Sequence, residues 1–488
     1  MTLALDKNRM LINGQLARSS SHEVFQSINP ATEEIIGAVP NGTHEDLDRA
    51  IRAARVAFDR SRWSEDREFR IRCIRQLKSG LDKYRDTLRD LTVQDVGSPI
   101  SMTRHAQLDD PIESLEWVAK LAEGYGWERD LGVARPLGIS SRRVVIKEPV
   151  GVIGAITPWN VPHQVNLAKV GPALAAGNTV VLKSAPETPL CASALAQIAN
   201  EETEIPAGVL NIVTSARPEL GAQLVGDPRV DMVSFTGSTL TGQKVMANAA
   251  GTLKKIFLEL GGKSACVILD DADIEMATMV AAFTVCTHAG QGCAITTRLI
   301  APRSIFDEVV EATRQYMARL PAQDPTLEST ICGPVISDRQ RRRIEGYLDL
   351  ARKDGAIFVL GGDRPARPET GFFVEPTLLV GIDPRSRVVQ EEIFGPVLVA
   401  YAHDGDQDAI DLANSTPYGL SASVWSSDLD RAMTVARGIR SGTVSVNGGL
   451  WYSPDVPFGG YKASGLGREG GIEGFEEYLE TKAIASPG

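Results

Sequence analysis

Val230-Asp231-Met232-Val233-Ser234-Phe235-Thr236-Gly237-Ser238-Thr239-Leu240-Thr241-Gly242 is the stretch on which the fold reading turns. Its first six residues are mostly apolar, lack helical spacing and read as a strand of a covered parallel sheet. From Thr236 a glycine-bounded turn, G-x-T-x-x-G, opens a helix at Thr239. A strand–turn–helix step of this kind presents free backbone N–H groups at a helix N-terminus, where aligned peptide dipoles favour a phosphate. A plain βα turn, with Gly and Ser serving only as caps, fits the same residues equally well.

The rhythm extends in both directions. Strands are expected over 150–156, 179–182 and 209–213, and helices over 165–175 and 189–198. From residue 256 the alternation begins again, as a second α/β unit would. Strands alternating with helices predict parallel sheets covered on both faces. Toward the N-terminus, Met10-Leu11-Ile12 followed by Asn13-Gly14 reads as a hairpin with a type I′ turn. Thr43 with Asp46 reads as a capping box ahead of Leu47, Ile51, Ala54 and Phe58 on one helix face. A further stripe, Ile71, Ile74, Leu77, Leu81, Tyr84, Leu88 and Leu91, is packing. Residues 126–148 break the helix–strand rhythm and read as a projecting hairpin, and 478–484 as a lone terminal strand. A strand without a nearby partner often pairs with another subunit, so both pieces are read as contacts of a homo-oligomer, dimer or tetramer.

Length and composition set the frame. At about 150 residues per domain the 488 residues suggest roughly three units, enough to bury a core without staples. Hydrophobic residues at 43% and charged residues at 23% exclude wholesale disorder. A formal charge of −11 argues against a nucleic-acid binder that works by neutralising phosphates. The six cysteines form no C-x-x-C pair and the six histidines never pair at ligand spacing, so neither a disulfide framework nor a metal site is expected. Asp6, Lys7 and Arg9 interrupt the N-terminal apolar run, and nowhere do eighteen apolar residues run together. The expectation is a cytoplasmic protein with no membrane partner.

Gly465-Leu466-Gly467-Arg468-Glu469-Gly470 fits G-x-G-x-x-G letter for letter, yet no strand leads into it and too little chain lies beyond it for a βαβ unit. Three other segments carry more chemistry. Thr157-Pro158-Trp159-Asn160 comes after a strand, where loops of α/β sheets meet ligand, and an asparagine amide there can donate to a developing oxyanion; a turn asparagine is the alternative. Leu258-Glu259-Leu260-Gly261-Gly262 sets a carboxylate in an apolar run before flexible glycines, which would raise its pKa toward that of a general base; a surface glutamate is the alternative. Gly290-Gln291-Gly292-Cys293 places a thiol near an expected helix N-terminus, where a thiolate is favoured. Cys73, Cys191, Cys266, Cys286 and Cys332 read as packing.

Taken together these residues resemble the aldehyde dehydrogenase superfamily. The likeness extends through Lys183 with Thr188-Pro189, Glu391-Glu392-Ile393-Phe394-Gly395-Pro396 and Pro457-Phe458-Gly459-Gly460-Tyr461-Lys462, and covers nearly the whole chain. It implies a Rossmann-like dinucleotide-binding domain (1–125 and 149–260), an α/β catalytic domain (261–463), and a small β oligomerisation arm with the C-terminal strand (126–148 and 464–488). It implies NAD(P)-dependent oxidation of an aldehyde to its acid. Cys293 would be the nucleophile, Asn160 with the Cys293 N–H the oxyanion holders, and Glu259 the base that activates water against a thioester. Cofactor contacts would come from Ile156, Thr157, Trp159, Lys183, Gly237, Ser238, Leu260, Glu392 and Phe394. Glu469 sits where the family has a second, proton-relaying glutamate; a helix-start surface glutamate is the alternative.

Two departures stand out. Pro186 occupies the slot where many NAD-preferring members carry a ribose-binding glutamate, so NAD is expected with NADP not excluded. Cys286-Thr287-His288-Ala289 replaces the family's usual phenylalanine and asparagine; His288 is read as bonding nearby backbone, with a pH effect on Cys293 as the alternative. Substrate contacts are expected from Val161, Ile295, Tyr452 and Phe458, with Leu115, Gly292, Ala294 and Trp451 beside them. That apolar lining, and the absence of Lys or Arg from 442–459, favours an aliphatic, terpenoid or aromatic aldehyde. Acylation of CoA and a non-catalytic scaffold are the competing readings; the first does not need Glu259, and the second would tend to lose Cys293, Glu259 or Asn160.

Overall fold

The computed structural model describes residues 5, 8–366 and 368–488; the reading that rested on Asp6 and Lys7 lies outside the described residues. At its centre are five parallel strands in the order Lys255–Glu259, Met232–Thr236, Val152–Ile156, Thr179–Lys183 and Leu210–Val213. The chain enters in the middle at Val152–Ile156, adds two strands on one side, then returns to the other side at Met232–Thr236. The crevice beyond the carboxyl ends of those two strands is the switch point at which open α/β sheets bind ligand. Nearly every residue of these strands is buried, which is why they read as continuous apolar runs rather than alternating ones.

The edges are antiparallel. Met10–Ile12 and Gln15–Ala17 form the expected hairpin, with Asn13 at φ 52° and Gly14 at φ 72°, the two positive values a type I′ turn needs. On the far edge Gly465–Leu466 pairs with Leu258 and Glu259. The capping box is formed: Thr43 accepts from the Asp46 N–H, and the buried Asp46 carboxylate accepts in return from the Thr43 N–H.

A second sheet of seven strands runs in the order Ile357–Leu360, Thr377–Val380, Val397–His403, Thr296–Pro302, Ser264–Ile268, Ser421–Trp425 and Thr443–Val446, parallel except for the first pair. Between the end of strand Lys255–Glu259 in one sheet and the start of strand Ser264–Ile268 in the other lie four residues. Gly261 and Gly262 in that crossing are buried rather than flexible, which corrects the expectation. A Cβ on Gly262 would lie 2.4 Å from the Cys293 carbonyl oxygen, and one on Gly261 2.5 Å from Glu392 Oε2. At Gly262 glycine is required by the close approach of backbone, and at Gly261 a Cβ would have to displace the Glu392 carboxylate.

The expected projecting hairpin is present as Glu128–Ala134 and Ser141–Pro149. The terminal strand is not alone, however. Leu479–Pro487 pairs antiparallel with Ser141–Pro149, from Leu479↔Pro149 to Pro487↔Ser141. The return is fixed by Phe475 and Tyr478, both buried: Phe475 packs edge-on against Tyr125 and Trp127, and the Tyr478 carbonyl accepts from the Val150 N–H at 3.2 Å. Gly465–Leu466 belongs to the first sheet, so the three-stranded arm takes up Leu479–Pro487 rather than everything from 464. Among the described residues no helix is long and apolar enough to cross a membrane.

The crossing yields a stability prediction. Gly262→Ala should cost about 1–3 kcal/mol in denaturant unfolding, because the methyl group meets backbone that cannot rotate away. Gly346→Ala, where an added Cβ meets nothing within 4 Å, should be neutral or slightly stabilising. Equal effects of the two substitutions would show that the crossing is not tightly packed.

Candidate active site

The thiol loop is built from strain and glutamine bonding. Helix Ile274–Cys286 ends in a single 3-10 turn, and His288, Ala289 and Gly290 then adopt left-handed φ values of 50°, 53° and 69°. At Gly290 a Cβ would lie 2.1 Å from the Gly395 carbonyl oxygen, so only glycine passes. Gln291, fully buried, anchors the loop on either side of it: its Oε1 accepts from the Ile336 N–H at 2.9 Å, and its Nε2 donates to the carbonyls of His288 at 3.1 Å and Pro334 at 3.3 Å. The chain then runs through Cys293 into strand Thr296–Pro302. No helix begins at Cys293, which corrects the expectation of a dipole-favoured thiolate. Burial, and next the neighbouring Glu259 carboxylate, push this thiol well above its ordinary range. Cys293 is half-buried, whereas the other five cysteines are fully buried.

Glu259 ends strand Lys255–Glu259 and is 2% exposed. Burial, reinforced by Glu469, raises its pKa to about 8, while the facing Cys293 thiol and Lys169 pull the other way. Its Oε1 has no protein partner. At neutral pH the carboxyl is therefore mostly protonated in the folded chain and ionises as pH rises through about 8.

Asn160 comes after strand Val152–Ile156 and is held at both ends. Its backbone carbonyl accepts from Gln107 Nε2 and from His288 Nε2, each at 2.9 Å, and its Nδ2 donates to the Gln291 carbonyl at 2.8 Å. An amide nitrogen carries two hydrogens, so a second remains for a ligand.

These three groups share one cavity of about 1430 Å³. Every residue named from the sequence for cofactor contact lines it: Ile156, Thr157, Trp159, Lys183, Gly237, Ser238, Leu260, Glu392 and Phe394. Ser238 caps helix Thr239–Ala249, and the Gly237 N–H donates to the Glu259 carbonyl at 3.0 Å, tying the glycine turn to the carboxylate strand. Trp159 and Phe394 meet edge-on at 5.4 Å, and Glu392 Oε1 accepts from the Gly262 N–H at 2.9 Å. Burial lowers the Lys183 pKa, opposed by Glu187 and Glu219. The hydroxyls of Thr157 and Thr236 are buried without protein partners on this wall, as a site for a polar ligand would have them.

Val161, Ile295, Tyr452 and Phe458 line the same cavity, with Trp451 stacked on Phe458 at 5.2 Å. Leu115 does not: it is fully buried in the core against Gly171, while Ser114, Trp117 and Val118 of helix Asp109–Gly124 face the cavity. A rotation by one residue along that helix separates the two faces. Sequence reasoning also passed over Lys169, fully buried, whose Nζ lies 3.2 Å from Glu469 Oε1 and 4.7 Å from the centre of the Phe257 ring. A lysine within Leu167-Ala168-Lys169-Val170-Gly171 was the available signal, since a charge in so apolar a helix requires a partner. Glu469 itself is delivered by paired bonds with Phe458 of 2.6 and 2.7 Å.

Thiol, amide and buried carboxylate thus meet beside the switch-point crevice of an α/β sheet, where dinucleotide-dependent enzymes bind their ligand. The model of the aldehyde dehydrogenase family matches residues 17–484. The chain is 39% identical over 482 residues to 3-succinoylsemialdehyde-pyridine dehydrogenase of a Pseudomonas species, covering 98% of each. It is 37% identical over 486 residues to geranial dehydrogenase of Castellaniella defragrans, covering 99% of each. Betaine aldehyde dehydrogenase of Staphylococcus aureus, solved in complex with NAD+, superposes with a TM-score of 0.95 at 37% identity, covering 99% of this chain and 95% of that one. The chain belongs to the aldehyde dehydrogenase family.

Because the ionised Glu259 holds the Cys293 pKa up, Glu259→Gln should speed alkylation of Cys293 by iodoacetamide at pH 9.5, where the parent carboxyl is ionised, by about 3- to 10-fold, as the thiolate fraction rises. Alkylation monitored by intact mass in both proteins, at equal or lower rate in the variant, would show that the two groups are not coupled.

Proposed function

We propose that the protein oxidises an apolar aldehyde to the carboxylic acid with a nicotinamide dinucleotide, through a covalent adduct on Cys293. The observation that carries this is the convergence of Cys293, Asn160 and Glu259 on one cavity continuous with the crevice of the first sheet. When bound there, NAD+ or NADP+ supplies the hydride acceptor. Ile156, Thr157, Trp159, Lys183, Gly237, Ser238 and Leu260 would hold its adenosine and pyrophosphate side, and Glu392 and Phe394 its nicotinamide side.

The chain's own groups perform the rest. The Cys293 thiol gives its proton to ionised Glu259, which passes it on toward Glu469, and the sulfur attacks the aldehyde carbon while the oxyanion takes hydrogen bonds from Asn160 Nδ2 and the Cys293 N–H. Hydride departure leaves a thioester on Cys293. Glu259, ionised, takes a proton from water, which attacks the thioester and releases the acid. Glu469, paired with Lys169, is the second carboxyl through which that proton is passed on.

Cofactor choice depends on the wall around Lys183. Pro186 stands where a ribose-binding carboxylate would, and Glu187 is drawn to Arg339 at 2.6 Å. Arg217 and Lys244 line the same cavity. A 2′-phosphate would meet cations, so NADP is accepted beside NAD.

The substrate reading rests on Val161, Ile295, Trp451, Tyr452 and Phe458, and on charge. Asp110 also lines the cavity and would repel a carboxylate-bearing semialdehyde, whereas Glu113 beside it is neutralised by Lys78 and Arg85. The named relatives differ in their aldehydes, and geranial, an apolar terpenoid, is compatible with this lining. Self-association is assigned to the arm, whose Leu131, Val133, Ile139 and Ile484 are exposed.

A panel of terpenoid, aromatic, aliphatic and anionic aldehydes, assayed with NAD and NADP by absorbance of the reduced nicotinamide, tests the reading. Apolar aldehydes should turn over with both cofactors, anionic ones at least about tenfold less efficiently, and Cys293→Ala should abolish turnover while retaining cofactor binding. Turnover by Cys293→Ala, or a preference for anionic aldehydes, would overturn it.

A further inference from the structure

We propose that His288 is a positioning residue for the oxyanion donor, fixing the Asn160 amide through the Asn160 backbone carbonyl; this rests on the proposed role of Asn160. His288 does not line the cavity, so it touches neither substrate nor cofactor there. It is 4% exposed, and its Nε2 lies 2.9 Å from the Asn160 carbonyl oxygen. A carbonyl only accepts, so Nε2 carries the hydrogen. Burial holds the imidazole pKa down at about 4, which keeps the ring neutral and leaves Nδ1 as a lone pair. That Nδ1 is buried with no protein partner, which makes the bond to Asn160 the ring's one hydrogen bond to protein among the described residues.

The three residues close a cycle. His288 Nε2–H donates to the Asn160 carbonyl, Asn160 Nδ2–H to the Gln291 carbonyl, and Gln291, through both its backbone N–H and Nε2, to the His288 carbonyl, each of the last two at 3.1 Å. Cys293 is two residues beyond Gln291. The cycle therefore locks the loop that bears the amide to the loop that bears the thiol, across two segments 128 residues apart in the chain. His288 sits in left-handed backbone at φ 50°, with Ala289 next at φ 53°, a strained pair of non-glycine residues that aims the ring away from the cavity and at the Asn160 loop. Without His288, Gln107 alone holds that carbonyl from the side-chain direction. An oxyanion donor displaced by a fraction of an ångström loses much of its effect.

The experiment compares His288→Phe, His288→Gln, Asn160→Ala and the double variant Asn160→Ala/His288→Phe. Phenylalanine keeps a ring without a donor, and the glutamine Nε2 reaches about as far as the imidazole Nε2. His288→Phe should lower kcat/KM for aldehyde about 10- to 100-fold, with cofactor affinity, read by fluorescence titration, unchanged. His288→Gln should stay within about threefold of the parent, and His288→Phe should add less than about twofold in the Asn160→Ala background. If His288→Phe does not fold, His288→Leu carries the same comparison. Undiminished activity in His288→Phe with Asn160→Ala impaired, a His288→Gln loss as large as that of His288→Phe, or an undiminished effect in the double variant would each overturn the positioning role. Parent-like activity of Asn160→Ala would instead overturn the role of Asn160, and this inference with it.

Discussion

A carboxyl group buried at the end of one sheet faces a thiol at the start of the other, and the backbone crossing between the sheets brings them together. Gly261 and Gly262 make that crossing, and neither position has room for a Cβ beside Glu392 or the Cys293 carbonyl. The close approach has an electrostatic consequence. Burial, with Glu469 beside it, raises the Glu259 pKa to about 8 against the pull of the facing thiol, while burial and the Glu259 carboxylate together raise that of Cys293. A raised carboxyl pKa also means that the native state holds a proton the unfolded chain releases. This contribution to stability is fully present below about pH 4.5 and is lost progressively as pH rises from there through about 8. The geometry of the site is supported from outside: by Gln291 on its loop, by the cycle through Asn160 and His288, and by the sheet strand that ends in Glu259.

The resting site holds little thiolate. No helix dipole points at Cys293, and among the causes of its shift burial and carboxylates dominate. On the proposed mechanism the thiol and the carboxyl act as a pair that exchanges one proton, with the reacting aldehyde between them, and the pH at which both are competent belongs to the pair rather than to either group. The Lys169–Glu469 pair beneath, fully buried on the lysine side, adds a charge whose position is set by the Phe458–Glu469 bridge.

Much of this was legible in the sequence because its signals were local. The strand–turn–helix at 230–242 and the Asn13-Gly14 turn depend on backbone rules that act over a few residues, and they formed where expected. Glu259, Asn160 and Cys293 were each ambiguous alone and became readable through their combination. The failures were non-local. Leu479–Pro487 had no visible partner because its mate, Ser141–Pro149, lies some 330 residues earlier. The glycines at 261 and 262 looked flexible because the atoms that crowd them come from Cys293 and Glu392. Leu115 reads as a tunnel position from the resemblance, and the fold turns it instead into the core against Gly171. His288 read as a backbone-bonding substitution, and only the folded chain shows that the backbone in question is Asn160.

The central claim is that a thioester on Cys293 is the species Glu259 resolves. Intact mass of Glu259→Gln, mixed with NAD+ and an apolar aldehyde and quenched within a second, tests it most directly. The account predicts a gain equal to the acyl group, stoichiometric with the chain and absent from Cys293→Ala. An unmodified mass together with parent-like turnover would contradict it.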